Sequence, residues 1–237
     1  MQGNKYLKVC LIFFIIYVSI VPRQEGKREH SGIISMENHD KKKLLIISAA
    51  LKRFAHYGLA KTTMTEIAKD ISFSKALLYY YFPDKLSLYV SVIENVMHTI
   101  SKDLLKSVEK TATCTEGILT LLQKRQGYIQ KYYNLIEFTK MAGPAELPAD
   151  LLEKFNRAKD FEMKIIVGVF ERGVSSSELK IDDIQVTAEI FVEALTGIHF
   201  NILNKERKIF PTKDQFKQIF FKEKKFAEIF LSGLKPN

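Results

Sequence analysis

The sequence has no tryptophan, two cysteines, six prolines and eleven glycines among its 237 residues. Two cysteines, Cys10 and Cys114, are too few for a disulfide framework or a cysteine metal site, which fits the reducing cytoplasm. The five histidines stand in no metal-ligand spacing, and no serine or cysteine lies in a nucleophile motif with a recognisable base. We therefore expect no metal, no cofactor and no enzymatic activity.

The scarcity of helix breakers leaves room for long helices. Apolar residues make up 46% of the chain, and they recur at helical rather than alternating spacing, which predicts an all-α fold. The formal charge of +9 is uneven: residues 36–90 hold nine lysines and arginines against five acidic residues, and residues 1–35 hold five against two. A basic excess toward the N-terminus is typical of a nucleic-acid-binding surface, and a solvated lysine face is the alternative interpretation.

The first 35 residues do not fit a cytoplasmic protein. Lys5 and Lys8 precede an apolar run over residues 9–21, which is short for a membrane helix and about right for the hydrophobic part of a signal sequence. Residues 22–26 lack a small-x-small cleavage pattern. We expect the native chain to begin at Met36, so that this N-terminal extension is not translated natively, and a membrane-tethered sensor is the alternative.

Residues 62–85, TTMTEIAKDISFSKALLYYYFPDK, have the pattern of a helix-turn-helix. Thr63 and Glu66 are spaced as a capping box at the start of a first short helix. Ser74 can cap a second helix, which Pro83 ends. The stretch therefore predicts two short helices joined by a tight turn.

Three consecutive tyrosines lie in the second of these helices. Successive side chains on a helix point about 100° apart, so at least one tyrosine must face water or a ligand. We expect Leu78 and Phe82 to be buried, Tyr79 and Tyr80 to point outward and Tyr81 to lie between. The alternative is that one or two of the tyrosines pack against the first helix of the domain. Outward hydroxyl groups at these positions are suited to hydrogen bonds with phosphate oxygens.

This stretch resembles the DNA-binding domain of the TetR family of bacterial transcription regulators. The resemblance rests on a string of positions of defined residue type: Phe54, Gly58, Thr62-Thr63, Ile67-Ala68, Ser74-Lys75, Leu78-Tyr79, Tyr81-Phe82 and Lys85. It implies an N-terminal three-helix helix-turn-helix DNA-binding domain, expected over residues 36–84. It also implies a C-terminal helical ligand-binding and dimerisation domain, expected over residues 85–237.

The resemblance further implies which residues contact phosphates or bases, with two of them, Ala76 and Leu77, facing the groove: Thr63, Ser74, Lys75, Ala76, Leu77, Tyr79, Tyr80 and Lys85. Two positions depart from the family's pattern. Ser72 stands where the turn usually has glycine, so it must tolerate the geometry of that turn. Leu77 replaces a small polar residue, so it would contact a thymine methyl group or pack rather than donate a hydrogen bond.

Flanking helices are predicted from capping residues and apolar spacing. The first runs from Asp40 to Tyr57, with an apolar stripe of Leu44, Ile47, Leu51 and Phe54. Asp84 is expected to cap a long helix reaching about Lys110. The remaining helices are expected at about 116–133, 149–173, 182–207 and 212–233, the last two opened by capping boxes of Asp182 with Gln185 and of Thr212 with Gln215.

The last two helices, about 182–207 and 212–233, carry more large apolar residues than one subunit is expected to bury. The first has a stripe of Ile184, Ala188, Phe191, Leu195, Ile198 and Ile202, and the second carries Phe216, Phe220, Phe221, Phe226 and Phe230. The resemblance implies that these helices pair with their copies in a two-fold four-helix bundle. Packing wholly inside one subunit is the alternative.

Aromatic residues of the middle helices can line an apolar cavity or form solid core: Tyr128, Tyr132, Tyr133, Phe138, Phe155, Phe161 and Phe170, with Met141 and Met163. The resemblance implies a cavity for a small-molecule effector among these helices. We therefore expect a cytoplasmic homodimeric repressor that binds a pseudo-palindromic DNA operator and releases it when a small apolar or amphipathic molecule binds. The alternatives are a helical ligand-binding or dimerisation module without DNA binding, and a membrane-tethered sensor.

Overall fold

The computed structural model describes residues 33–135, 149–205 and 212–236, and the regular secondary structure of these residues is entirely helical. Eight helices are named here: α1 (Ile33–Tyr57), α2 (Met64–Asp70), α3 (Lys75–Tyr81), α4 (Lys85–Val108), α5 (Cys114–Lys131), α6 (Ala149–Ser175), α7 (Ile184–Lys205) and α8 (Lys213–Gly233). The predicted all-α fold is confirmed. The predictions for the apolar run at residues 9–21, for Phe138 and Met141, and for the side chain of Phe155 lie outside the described part.

Helix α1 begins at Ile33, earlier than the predicted start at Asp40, and ends before Gly58, whose φ of 77° requires the left-handed region. Its core face includes Ile46, Ala50 and Phe54, which are fully buried. Leu44, the first residue of the predicted apolar stripe, lies outside the core, because 55% of this side chain is exposed. The side chains of residues 39–45 are all exposed, so α1 extends here beyond the helices that cover it.

The helix-turn-helix forms as its capping residues predict. The hydroxyl of Thr63 accepts from the Glu66 amide at 3.3 Å, and the Glu66 carboxylate accepts from the Thr63 amide at 2.9 Å, which confirms the capping box. The Ser74 hydroxyl accepts from the Leu77 amide at 3.1 Å and caps α3. Each cap satisfies an amide that the helix itself leaves without an acceptor.

The side chains of α3 divide between core and surface as predicted. Leu78 is fully buried and Phe82 nearly so, whereas Tyr79 and Tyr80 are 42% and 73% exposed. Tyr81 is half-buried. The buried side of α3 packs on the core of the helix-turn-helix, and the opposite side of α3 is exposed and accessible to a partner.

Helix α4 begins at Lys85 and is capped by Asp84, whose carboxylate accepts from the Ser87 amide at 2.6 Å. Its first half belongs to the same buried cluster as α1, α2 and α3, with Leu88 and Val92 fully buried. Leu104 and Val108 of its second half belong to another cluster, formed with α5, α6, α7 and α8. One continuous helix therefore contributes to both cores.

The start of α7 differs from the prediction. Asp183, not Asp182, provides the cap: its carboxylate accepts from the Val186 amide at 2.9 Å. The Val186 side chain has no group that could hydrogen-bond back to the Asp183 amide. The Gln185 side chain donates to the Glu189 carboxylate instead, so the predicted capping box of Asp182 with Gln185 was wrong. At α8 the box of Thr212 with Gln215 is confirmed.

The apolar stripe predicted on α7 packs mainly inside the subunit. Ala188, Phe191 and Leu195 are fully buried, and the Phe191 ring lies 5.8 Å from that of Phe170 on α6 and 5.6 Å from that of Phe226 on α8. The face of α7 away from this stripe nevertheless stays apolar. The helical stretch Ile184–Leu203 is long and apolar enough to cross a membrane, and 28% of it is buried. This is weak evidence for a membrane span, because core helices of soluble proteins and signal sequences have the same length and composition.

Ser72 lies in the turn between α2 and α3 with a φ of 55°. A left-handed conformation costs an L-residue roughly 1–2 kcal/mol, whereas glycine adopts it without this steric cost. Glycine also increases the entropy of the unfolded chain, which offsets about 0.4–1 kcal/mol of the gain. We predict that Ser72→Gly raises the free energy of unfolding by roughly 0.5–1 kcal/mol.

Chemical denaturation of the two proteins measures this difference, with Ser72→Ala as the control. Alanine keeps the Cβ atom that makes the conformation costly, so the control is expected to give no such gain. A gain of equal size in both variants would mean that the serine hydroxyl, and not the backbone conformation, causes the cost.

Candidate nucleic-acid interface and ligand cavity

The open side of α3 presents a polar and aromatic surface. Lys75, Ala76, Tyr79 and Tyr80 are all exposed, and their spacing places them on one side of the helix, away from Leu78. The Lys75 ammonium group lies 5.6 Å from the centre of the Tyr79 ring, a cation–π distance. A cation and two phenol hydroxyls therefore stand together on the side of α3 that the protein leaves uncovered.

Ser74 and Leu77 flank this surface. The Ser74 oxygen accepts the Leu77 amide, and a hydroxyl group that accepts one bond can still donate its proton to a phosphate oxygen. Leu77 is half-buried, which leaves part of its side chain accessible for apolar contact. These two positions adjoin the four exposed residues of α3.

Thr63 is placed less favourably for a phosphate contact. Its amide and its hydroxyl both donate to the Glu66 carboxylate, at 2.9 and 2.8 Å. These bonds, together with the weaker attraction of Arg53, hold the pKa of Glu66 below its ordinary value, so the carboxylate stays ionised. A phosphate approaching Thr63 would meet a negative charge and donors that are already engaged.

Lys85 also has a defined structural role. Its ammonium group donates to the carbonyl oxygens of Leu59 at 2.8 Å and Thr62 at 3.0 Å, both in the loop between α1 and α2. This half-buried lysine therefore ties the start of α4 to the loop before the helix-turn-helix. The loop carbonyls are the hydrogen-bond partners of Lys85 in this structure.

A neighbouring region that the sequence analysis did not identify as part of the site is the exposed first part of α1. The His39 ring lies 4.6 Å from the Tyr81 ring and 6.1 Å from the Tyr80 ring, measured between centres. Lys42 and Lys43 follow on the same exposed segment. The only sequence signal for this placement was the local excess of lysine.

Helices α4, α5, α6 and α7 line a partly open cavity of about 200 Å³. Helix α4 supplies its largest apolar wall, and α5, α6 and α7 supply the others. Among the residues predicted for a cavity, Tyr128, Tyr132, Phe161 and Met163 line it. Phe170 does not, because it is fully buried in solid core, and Tyr133 packs against Phe216 at the other side of the bundle.

Two polar contacts connect the cavity walls to the surrounding helices. The Tyr128 hydroxyl on α5 donates to the Asp103 carboxylate on α4 at 2.5 Å, and burial together with this carboxylate raises the pKa of Tyr128 to about 12. His199 on α7 lies with its Nδ1 atom 3.4 Å from the Glu223 carboxylate on α8, and both side chains are almost fully buried. The cavity is thus coupled to α4 and to the last two helices.

The described residues contain no group of three or more histidine, cysteine or acidic side chains positioned to hold a metal ion. Of the adjacent acidic residues Asp182 and Asp183, Asp183 caps α7. The side chains that line the cavity are suited to binding a ligand, and those exposed on α3 are suited to binding a nucleic acid.

Comparison with known proteins identifies the N-terminal part. Residues 46–92 match the family model described as "Bacterial regulatory proteins, tetR family". This match covers the second half of α1, the whole helix-turn-helix and the start of α4.

Relatives extend the similarity over most of the chain. The crystal structure of a transcriptional regulator from Cytophaga hutchinsonii is 30% identical, with a TM-score of 0.73 over 83% of this chain and 100% of that one. The "Fatty acid metabolism regulator protein" of Bacillus subtilis is 23% identical over 145 residues, which are 61% of this chain and 74% of that protein. The crystal structure of the regulator FadR from Bacillus subtilis with stearoyl-CoA is 18% identical, with a TM-score of 0.56 over 81% of this chain and 98% of that one.

These proteins are transcription regulators, not enzymes, and the family match falls on the helices whose capping and exposed side chains are described above. The chain is therefore a DNA-binding regulator and belongs to the TetR family of bacterial transcription regulators.

Proposed function

We propose that the protein is a cytoplasmic homodimeric repressor that leaves a pseudo-palindromic operator when a small apolar or amphipathic molecule fills its cavity. The observation that carries this proposal is the position of α4. Three residues separate this helix from the end of α3. It packs in the core of the helix-turn-helix and forms the largest apolar wall of the cavity. A ligand that prefers one position of α4 must therefore alter the placement of α3.

The proposed DNA contacts are Thr63, Ser74, Lys75, Ala76, Leu77, Tyr79, Tyr80 and Lys85. The exposed cation and hydroxyl groups of α3 support phosphate contacts, and exposed Ala76 leaves space for a base edge. The Thr63 hydroxyl and the Lys85 ammonium group already donate hydrogen bonds within the protein, so a contact with DNA would have to share these donors. We also propose that residues 36–84 and 85–237 act as the DNA-binding and the ligand-binding parts, although α4 joins their cores.

Dimerisation through α7 and α8 is supported by the apolar side chains that these helices leave exposed. Val186 and Ile190 on α7 are 47% and 51% exposed, and Phe221 and Ile229 on α8 are 70% and 65% exposed. A side chain at Gly197 would meet nothing within 4 Å inside the subunit, so a neighbouring helix can approach closely there. Two copies of such a surface suit the isologous interface of a two-fold dimer, which presents two recognition helices to one operator.

The effector proposal is supported by the lining of the cavity, which is mostly apolar and includes tyrosines, a methionine pair and a few charged groups. A structure with the same fold holds stearoyl-CoA, and a relative is named for fatty acid metabolism. Compounds with an apolar chain are therefore the first candidates to test. The experiment is a gel shift of the purified protein on the DNA upstream of its own gene, repeated with such compounds; absence of any shift would contradict operator binding there.

Lys75 is predicted to make one phosphate contact. Each contact releases counterions, so Lys75→Ala should make the slope of log affinity against log salt concentration less negative by about 0.9. The measurement is a salt titration of DNA binding, with the exposed Lys222→Ala on α8 as a matched control that should keep the original slope. An unchanged slope for Lys75→Ala would remove this lysine from the interface.

Lys85 should behave differently because its ammonium group is bonded to the protein. Lys85→Ala leaves the carbonyls of Leu59 and Thr62 without this donor and should lower the free energy of unfolding by about 1–2 kcal/mol. Chemical denaturation measures the loss, and Lys61→Ala, an exposed lysine in the same loop, is the control. If the variant keeps full stability and its slope of log affinity against log salt concentration becomes less negative by about one unit, the result would instead support the phosphate contact.

A charge at the proposed dimer interface should separate the subunits. Ile190→Glu buries a carboxylate on both sides of a two-fold interface and should raise the dimer dissociation constant at least about tenfold. Sedimentation equilibrium measures this, and Leu105→Glu on α4, another exposed aliphatic position, should leave the dimer intact. Equal dimerisation of wild type and Ile190→Glu would place the interface elsewhere.

A further inference from the structure

The exposed first part of α1 lies outside the part of the chain that the family model matches. Residues 39–45 are all exposed, whereas Ile46, the next residue along α1, is fully buried. The family match begins at residue 46, so it gives no role to the residues before it. We call residues 39–45 the α1 extension.

Three side chains of the α1 extension share one side of the helix. His39, Lys42 and Lys43 precede Ile46 by seven, four and three residues, and residues at these spacings lie on the same helix face. Ile46 belongs to the core of the helix-turn-helix. The side of the α1 extension with His39, Lys42 and Lys43 therefore continues the core side of α1 past the point where the core ends.

This side of the α1 extension meets the end of α3. The His39 ring packs on Tyr81, with 4.6 Å between the ring centres, and its centre is 6.1 Å from that of Tyr80. The Lys43 ammonium group lies 6.0 Å from the centre of the Phe82 ring, which follows α3 directly. Tyr80 is largely exposed, and its ring contacts that of Tyr81 edge-on at 5.3 Å. The α1 extension and the exposed side of α3 therefore form one continuous surface.

The α1 extension carries a net positive charge. It holds three lysines and one acidic residue, Asp40, whose carboxylate lies 3.9 Å from the His39 Nδ1 atom. Lys42 and Lys43 are exposed, so their ammonium groups are accessible to an anion, unlike that of Lys85, which donates to loop carbonyls. A lysine ammonium group is a point charge on a flexible stem, which suits a phosphate better than a base edge. DNA phosphates are therefore the partner whose charge fits this surface.

We propose that His39, Lys42 and Lys43 form a second DNA-binding surface beside the one on α3. Lys42 and Lys43 bind backbone phosphates next to the groove that α3 contacts, and these contacts strengthen binding to every DNA sequence. His39 is a positioning residue, because its ring packs on the tyrosines of α3 and keeps Tyr80 directed to the same backbone. The proposal needs only that the chain binds DNA, so it does not depend on repression, dimerisation or a ligand.

The two lysines are tested by the salt dependence of DNA binding. The double variant Lys42→Ala, Lys43→Ala should make the slope of log affinity against log salt concentration less negative by about 1.8 per bound subunit, because each lost phosphate contact accounts for about 0.9. The probe is a random-sequence DNA duplex with a fluorescent label, and the measurement is fluorescence anisotropy. An unchanged slope would overturn the proposal.

Matched variants separate a phosphate contact from a general effect of charge. Lys52→Ala removes an exposed lysine from a different side of α1 and should keep the slope of the wild-type protein. Replacing both Lys42 and Lys43 with arginine keeps the two charges and should also keep the slope. A change of equal size per lysine in Lys52→Ala would mean that only the net charge matters, and the proposed surface would be rejected.

The double alanine variant is also compared on the DNA upstream of the protein's own gene. Phosphate contacts carry no sequence information, so binding to this DNA and to the random duplex should weaken by the same factor. Weaker binding to the upstream DNA alone would mean that the two lysines contact bases, which would overturn the phosphate assignment.

The positioning role of His39 is tested by removing or keeping its ring. His39→Ala should weaken binding to the random duplex by about two- to tenfold, the effect expected of one lost aromatic pair, and His39→Phe should restore the affinity. Thermal unfolding is the control, because the His39 side chain is 47% exposed and its removal should change the stability little. Wild-type affinity in His39→Ala, or an equal loss in His39→Phe, would overturn this role.

Discussion

The structure depends on one helix being shared between two hydrophobic cores. Leu88 and Val92 of α4 are fixed among the helices of the helix-turn-helix, and Leu104 and Val108 are fixed among the C-terminal helices. Leu135 and Leu151 also join the first cluster, so the DNA-binding part rests on more than its own three helices. Because close-packed cores resist deformation, neither end of α4 can shift without a response at the other.

The features that could be predicted from the sequence are those determined by nearby residues. Thr63, Ser74, Asp84 and Thr212 cap their helices as expected, because each cap joins a side chain to an amide only three residues away. The outward side of α3 was predictable for a similar reason, since Leu78 and Phe82 are too apolar to be left in water. The predicted cap at Asp182 was wrong by one residue, because either of two adjacent aspartates can cap a helix that starts here.

The remaining features depend on which elements meet in space. Periodicity identified an apolar stripe on α7 but not that α6 and α8 cover it, nor that Val186 and Ile190 on another side stay exposed. Arg125 and Lys159 were not singled out, since charged residues in a helical sequence usually face water, and only the packing of α5 on α6 turns them toward a cavity. Likewise, nothing in the sequence shows that the Lys85 side chain reaches the loop carbonyls of Leu59 and Thr62.

The length of α4 sets the scale of the movement that the proposed ligand-driven release would require. Its 24 residues span about 36 Å at about 1.5 Å per residue. A tilt of about 5° at one end of a rod of that length displaces the other end by about 3 Å, which exceeds the range over which a hydrogen bond to a phosphate survives. If the proposed contacts hold, a change of a few degrees at the cavity would therefore be enough to take Lys75, Tyr79 and Tyr80 out of register with a DNA backbone.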